Sequence, residues 1–182
     1  MRKIIFAINT TINGNVDHTV GISDDELHNF YTDLLNSVDV VLMGRITYQL
    51  MESFWPVAHK APQSTQSIMR FADKYNSIKK IIFSETLKEV KWQNSQLADR
   101  NLQEIISEQK NQDGKNISAG SLSIALQLLK LDLIDEFWIA VHPFVAEKGP
   151  RLFEGIDVIK KLKLVDSKTL SSGVVFHHYL NI

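Results

Sequence analysis

Apolar residues along this chain recur with two different periods, and the switching between them predicts the architecture. Unbroken apolar runs occur at Lys3–Asn9 (KIIFAIN), Val38–Met43, Lys80–Ser84 and Glu136 to about Val145, the pattern of strands covered on both faces. Between these runs the spacing changes to three and four. Ser23-Asp24-Asp25-Glu26 has capping-box spacing, with Ser23 as the expected N-cap, and Leu27, Phe30, Tyr31, Leu34 and Leu35 form one face, predicting a helix from about Asp24 to Asn36. Ile68, Phe71, Ala72 and Tyr75 predict a helix within Ser64–Tyr75, and Leu102, Ile105 and Ile106 another, capped by Asp99. A short strand at Asn116–Ser118 leads into the turn Ala119-Gly120-Ser121. A helix follows at once, with Ser121 as N-cap and Leu122, Ala125, Leu126 and Leu129 as its stripe. Strands that alternate with helices imply parallel pairing and right-handed crossovers. The tail differs, because Leu162–Ser167, a Ser171-Ser172-Gly173 turn and Val174–Leu180 read as an antiparallel hairpin, which makes the sheet mixed.

Composition narrows the function classes. The 182 residues contain no linker-like stretch, so one domain over 1–182 is expected. A net charge of −1 gives no electrostatic reason for binding nucleic acid or an acidic membrane surface, which leaves a small-molecule substrate or another protein as the expected partner. With no cysteine, disulfides, thiolate nucleophiles and Cys metal sites are excluded. The apolar run Ile4–Ile8 is too short for the core of a signal peptide and no stretch approaches a membrane span, so a cytoplasmic location is expected. No metal site is expected either: no histidine pair has His-x-x-x-His spacing, and His177-His178 alternate to opposite faces of a strand.

Candidate chemistry collects where strands run into helices. Gly44-Arg45-Ile46-Thr47-Tyr48 puts an arginine fork, a hydroxyl and unpaired N–H groups at the C-terminal edge of a strand, where open α/β sheets bind ligands. A surface arginine beside a helix-breaking glycine would read the same way. The Ala119-Gly120-Ser121 turn is a second phosphate cradle or an ordinary tight turn. Trp55 lies in an irregular segment, Glu52–Pro62, and could stack on a ligand ring; for Trp138, on a strand, core packing is the simpler reading. Asp24, Asp25 and Glu26 could supply a proton to a substrate or could serve only as caps, and Asp33 points away from the apolar stripe.

Taken in order, the N-terminal strand with its Asn-Gly loop, VVLMGRITYQLMESFWP, KKIIFSE, the Gly turn with its helix, DEFWIAVHP and GPRLF resemble the dihydrofolate-reductase-like family over nearly the whole chain. Within it, the chain is similar to bacterial proteins that share the C-terminal reductase domain of the riboflavin-biosynthesis deaminase/reductase. The resemblance implies an α/β three-layer sandwich with a mixed, mainly parallel sheet of about eight strands. It implies an NADPH-dependent reductase, with NADH possible, that transfers a hydride to a small pterin- or pyrimidine-like heterocycle or a carbonyl compound. The alternative is a dimeric nucleotide-binding protein of the same fold with weak or no catalysis. On the family pattern, Gly44, Arg45, Ile46 and Thr47 would hold the adenosine and pyrophosphate, with Ser84 and Glu85 near the 2′-phosphate. Ala119, Gly120, Ser121 and Leu122 would form the second phosphate turn. Ala7, Ile8, Asn13 and Gly14 would line the nicotinamide side, and Trp55 and Phe30 the substrate. No catalytic residue is assigned.

The chain departs from that pattern at Ala119, where glycine is usual, at Asn13 in place of Asp, at Glu85, whose charge would oppose a 2′-phosphate, and at Glu147-Lys148. The resemblance also implies a homodimer. Ile124, Leu128 and Leu131 lie off the stripe of the Ser121–Leu131 helix, so that helix is expected at or near the interface, unless the Trp55–Tyr75 segment folds back to cover it.

Overall fold

The apolar runs come together as the strands of one sheet, because only a covered sheet hides both of their faces. The computed structural model describes residues 1–157 and 159–182. Its strands are β1 (Ile4–Thr11), β2 (Val38–Gly44), β3 (Lys79–Phe83), β4 (Ser95–Leu97), β5 (Asn116–Ala119), β6 (Glu136–His142), β7 (Leu162–Thr169) and β8 (Val175–Asn181). They form an eight-stranded sheet in the order β4-β3-β2-β5-β1-β6-β8-β7. Every pairing from β4 to β6 is parallel, and β8 and β7 add antiparallel as the expected hairpin. The helices are α1 (Asp25–Leu35), α2 (Arg45–Glu52), α3 (Gln66–Ser77), α4 (Leu102–Asn111) and α5 (Leu122–Lys130), with a 3-10 segment at Trp55–Lys60. No helix among the described residues is long and apolar enough to cross a membrane.

Period-two alternation divides the strand side chains between two helical layers. Ile4 and Phe6 of β1 and Val40 and Leu42 of β2 pack with α4 and α5, while Ile5, Val41 and Met43 pack with Leu35 of α1, Tyr48 of α2 and Phe71 and Tyr75 of α3. A third cluster joins Leu27 of α1 to Ala140, Leu170, Val174 and Phe176 under the hairpin.

Several local expectations are corrected. The N-cap of α1 is Asp24, which accepts from Leu27 N–H at 2.7 Å, and not Ser23. Glu26 accepts instead from the backbone and hydroxyl of Ser171, which ties α1 to the β7–β8 turn. The cap of α4 is Asn101, two residues beyond Asp99. The short edge strand β4 carries no pattern of its own, and β6 ends at His142 because Pro143 cannot extend the ladder.

The premise for placing α5 at a dimer interface also fails. Its sheet-facing side is Ile124, Ala125, Leu128 and Leu129, all in the core, with Leu128 at 0% exposure. Leu122 and Leu126, read as the stripe, are only half-buried. Ile124 and Leu128, which lie off the expected stripe, are thus covered within the chain, while Leu131 stays 39% exposed. The Trp55–Tyr75 segment does not cover α5 either, since Trp55, Phe71 and Tyr75 pack on the opposite face.

A fully buried charge stands inside this frame. Lys80 on β3 has 0% exposure. Its ammonium donates to the carbonyls of Ile78 at 2.8 Å, Gln93 at 3.3 Å and Asn76 at 3.4 Å, and lies 4.4 Å from the Trp92 ring centre. Burial pushes its pKa down from 10.5 to about 8.

Candidate functional site

The strand order brings the candidate residues to one place. From β1 the chain crosses by way of α1 to β2 on one side, and from β5 it crosses by way of α5 to β6 on the other, so the two connections diverge above the β5–β1 pair. A divergence of this kind opens a crevice at the C-terminal ends of the strands. Pairing of β1 with β5 stops at Phe6↔Ala119, and from Ala7 onward β1 has no strand on that side. Ala7 and Ile8, the turns at Gly44 and Gly120, and Ser84 after β3 all lie at this edge.

Two helices begin at the crevice, and both begin without a side-chain cap. Asp24, Thr65 and Asn101 cap α1, α3 and α4, whereas Gly44 before α2 and Ser121 before α5 make no such hydrogen bond. First-turn N–H groups without a cap carry the positive ends of the helix dipoles. The Ser121 hydroxyl instead accepts from Gly44 N–H at 3.0 Å, fastening the two turns together. A Cβ on Gly44 would lie 2.6 Å from Ser123 Oγ, and one on Gly120 would lie 2.5 Å from Val41 Cγ1 and 3.2 Å from the Leu42 carbonyl oxygen. Glycine at both positions is therefore what allows the turns to approach. The Ala119 methyl points the other way, into the α4–α5 core at 0% exposure, so it does not narrow the crevice as its departure from glycine led one to expect. No peptide among the described residues is cis.

Arg45 is exposed, and its guanidinium donates to Gln49 Oε1 at 3.1 Å. No acidic side chain pairs with it among the described residues, and Ile46 beside it is 74% exposed. Thr47 follows, half-buried, in the first turn of α2. Ser84 Oγ accepts from the backbone of Thr86 and Leu87, which leaves Glu85 exposed at the tip of that turn. Asn13 is committed to its loop: Oδ1 accepts from Thr11 Oγ1 and Ala146 N–H, and Nδ2 donates to the Ala146 carbonyl at 2.8 Å. An aspartate could not make that last bond, which accounts for Asn here. Gly14 supports the same loop at φ +81°, a conformation suited to glycine.

The aromatic candidates fall on opposite flanks of α1. Trp55 packs on Phe71 with ring centres 4.5 Å apart, whereas Phe30 stacks on Phe176 at 3.6 Å in the hairpin cluster. Trp138 stacks on His178 at 3.8 Å. The first-turn carboxylates of α1 are engaged structurally. Hydrogen bonds from Ser67 and Thr65 hold the Asp25 carboxyl below its ordinary pKa, and those from the Ser171 backbone and hydroxyl do the same for Glu26. Both stay ionised and tie α1 to its neighbours, which does not suit proton donation.

A polar cluster that the sequence did not single out lies on the floor of the α1 side. Ile5, Ala7 and Asn9 share one face of β1, and their burial falls from 2% exposed at Ile5, through half-buried Ala7, to exposed Asn9. Asn9 Oδ1 accepts from Tyr31 OH at 2.8 Å and lies 3.1 Å from His142 Nε2. The other ring nitrogen, Nδ1, accepts from Ile22 N–H at 3.0 Å. His142 is 1% exposed, and burial holds its pKa below the usual value, so it is neutral. The available signal was alternation in β1, which sets Asn9 on the same face as Ile5, but its partners come from α1 and β6.

Comparison with known proteins gives the lineage. The model of the RibD C-terminal domain matches residues 2–176. The uncharacterized protein YyaP of Bacillus subtilis (strain 168) is 32% identical over 180 residues, covering 96% of this chain and 92% of that one. A candidate riboflavin biosynthesis protein from Shewanella sp. PV-4 superposes with TM-score 0.76 at 19% identity, covering 100% of this chain and 99% of the other. Dihydrofolate reductase from Enterococcus faecalis, solved in complex with NADP(H) and RAB-propyl, superposes with TM-score 0.66 at 11% identity, covering 98% and 96%. The eight-stranded sheet is thus of the dihydrofolate-reductase-like kind. The match over nearly its whole length makes this chain a member of the RibD C-terminal domain family.

Proposed function

We propose that this chain is an NADPH-dependent reductase that delivers a hydride to a small heterocyclic or carbonyl compound. The observation that carries the proposal is the pair of uncapped helix N-termini at the strand divergence, fastened by the Ser121–Gly44 hydrogen bond and flanked by Arg45. Two dipole ends with free N–H groups favour a ligand with more than one anionic group, and the side-chain-free approach at Gly44 and Gly120 suits a pyrophosphate. Membership of the RibD C-terminal domain family and the likeness to a reductase bound to NADP(H) support the same reading. When bound, the nicotinamide supplies the hydride. In this reading Arg45 and Thr47 grip the phosphates, Ala7 on the α1 face of β1 gives the ring a flat floor, the backbone of Ile8 borders it at the open strand edge, and the Asn13–Gly14 loop bounds its far side.

Titration of NADPH and NADH, followed by fluorescence, tests the proposal. Arg45→Lys keeps the charge but loses the fork, so NADPH affinity should fall by about 1.5 to 3 kcal/mol while the unfolding midpoint stays in place. Unchanged affinity would return Arg45 to the surface, and no binding of either cofactor at millimolar concentration would end the reductase reading. Glu85→Ser removes a charge from the turn after β3. If that turn faces the adenosine ribose, NADPH should tighten about two- to threefold more than NADH, with the difference shrinking in high salt. Equal effects on both cofactors would place Glu85 away from the ribose.

A further inference from the structure

We propose that Asn9 is a substrate-orienting residue whose side-chain amide is locked as a hydrogen-bond donor, so that the site selects compounds presenting a carbonyl oxygen or a similar acceptor over the β1 floor. The choice of reaction rests on the reductase reading; the polarity of the site does not.

The lock is a chain of fixed protons. Ile22 N–H donates to His142 Nδ1, so that nitrogen is unprotonated. A neutral imidazole must then carry its proton on Nε2. That proton points at the Asn9 side chain 3.1 Å away, which must present its oxygen. Tyr31 OH supplies a second donor to the same oxygen at 2.8 Å. Rotating the amide by half a turn would set the Asn9 NH2 against the His142 N–H, donor against donor, and forfeit the bond. The amide nitrogen is therefore turned away from both partners.

Three features give that nitrogen a role toward a ligand. Asn9 belongs to a central strand, where side chains are ordinarily covered, yet it is exposed. Its Nδ2 makes no hydrogen bond to the protein among the described residues, while its oxygen is fully used. It also lies two residues beyond Ala7 on the same face of β1, beside the crevice. A substrate with a carbonyl there completes the amide's hydrogen bonding, and one with an amino group meets a donor it cannot satisfy.

Two compounds with the same ring skeleton provide the test: pteridine-2,4-dione, with carbonyl oxygens beside ring N–H groups, and pteridine-2,4-diamine, with amino groups at the same carbons beside unprotonated ring nitrogens. Binding is read by tryptophan fluorescence with and without NADPH. The dione should bind about tenfold more tightly than the diamine, the difference expected for one hydrogen bond. Asn9→Asp, which turns an acceptor into the crevice, should reverse the order. A wild-type preference for the diamine, an unreversed order in a folded Asn9→Asp variant, or no binding of either compound would overturn the proposal. Should the variant not fold, nitrogen-15 NMR of the wild-type protein decides. A His142 protonated on Nδ1, or an Asn9 side-chain amide unmoved by saturating dione, would also overturn it. Failure of the two readings looks different: dione preference without NADPH binding removes the reductase and keeps the donor, whereas NADPH binding without ring preference does the reverse.

Discussion

Leu128→Glu should leave no folded protein, with the cooperative thermal transition lost in circular dichroism. Leu128 is 0% exposed on the face of α5 that lies on the sheet. Removing a buried leucine costs about 2 to 5 kcal/mol, and an unpaired carboxylate in its place adds several more. Against a total stability of about 5 to 15 kcal/mol, the sum removes most or all of the folded population. Leu131→Glu provides the contrast, because Leu131 follows the last turn of α5 and is 39% exposed; its midpoint should move little. A soluble Leu128→Glu monomer with native circular dichroism would mean that the residue meets another chain and not the sheet.

Lys80→Met should change how stability depends on pH. The Lys80 amine has a pKa of about 8 in the folded chain, below its ordinary 10.5. Below pH 8 both states hold the proton, and the buried charge is a standing cost only partly offset by the carbonyls of Ile78, Gln93 and Asn76. Between 8 and 10.5 the unfolded chain keeps a proton that the folded chain has released, so this residue adds stability as pH rises through that window and loses it as pH falls. Met has no such titration. From about pH 7 to about pH 10, wild type should therefore gain on Lys80→Met by about 2 kcal/mol in urea unfolding. Tyrosines and surface lysines titrate in the same range but cancel in the difference. A flat difference would mean that the carbonyls and the Trp92 ring fully offset burial.

The sheet was largely legible because its strands are continuous apolar runs, and no other arrangement hides both faces of KIIFAI and VVLM. Helix faces were less legible. Periodicity assigned Leu122 and Leu126 to the stripe of α5, whereas the sheet covers Ile124 and Leu128; spacing reveals that a face exists but not how wide its cover is. Caps slipped by one or two residues where several capping types stand in a row, as at Ser23-Asp24-Asp25 and Asp99-Arg100-Asn101. Gly44-Arg45-Thr47 and Ala119-Gly120-Ser121 could be found because each is contiguous and sits where a strand becomes a helix. Asn9, Tyr31 and His142 could not, since β1, α1 and β6 meet there only after the chain has folded.

The position of β1 bears on how the chain is made. β1 is synthesised before the other strands of this sheet yet stands in its middle, and its partners are β5, beginning with Ile4↔Ile117, and β6, beginning with Ile5↔Glu136. On a ribosome adding roughly 5 to 20 residues per second, Ile4, Ile5 and Phe6 wait many seconds for either neighbour. During that interval β2, β3 and β4 and the helices between them are already outside, able to assemble one half of the sheet with an open edge. The nascent protein is thus a template for unwanted strand addition until β5 and β6 emerge on either side of β1 and close the gap.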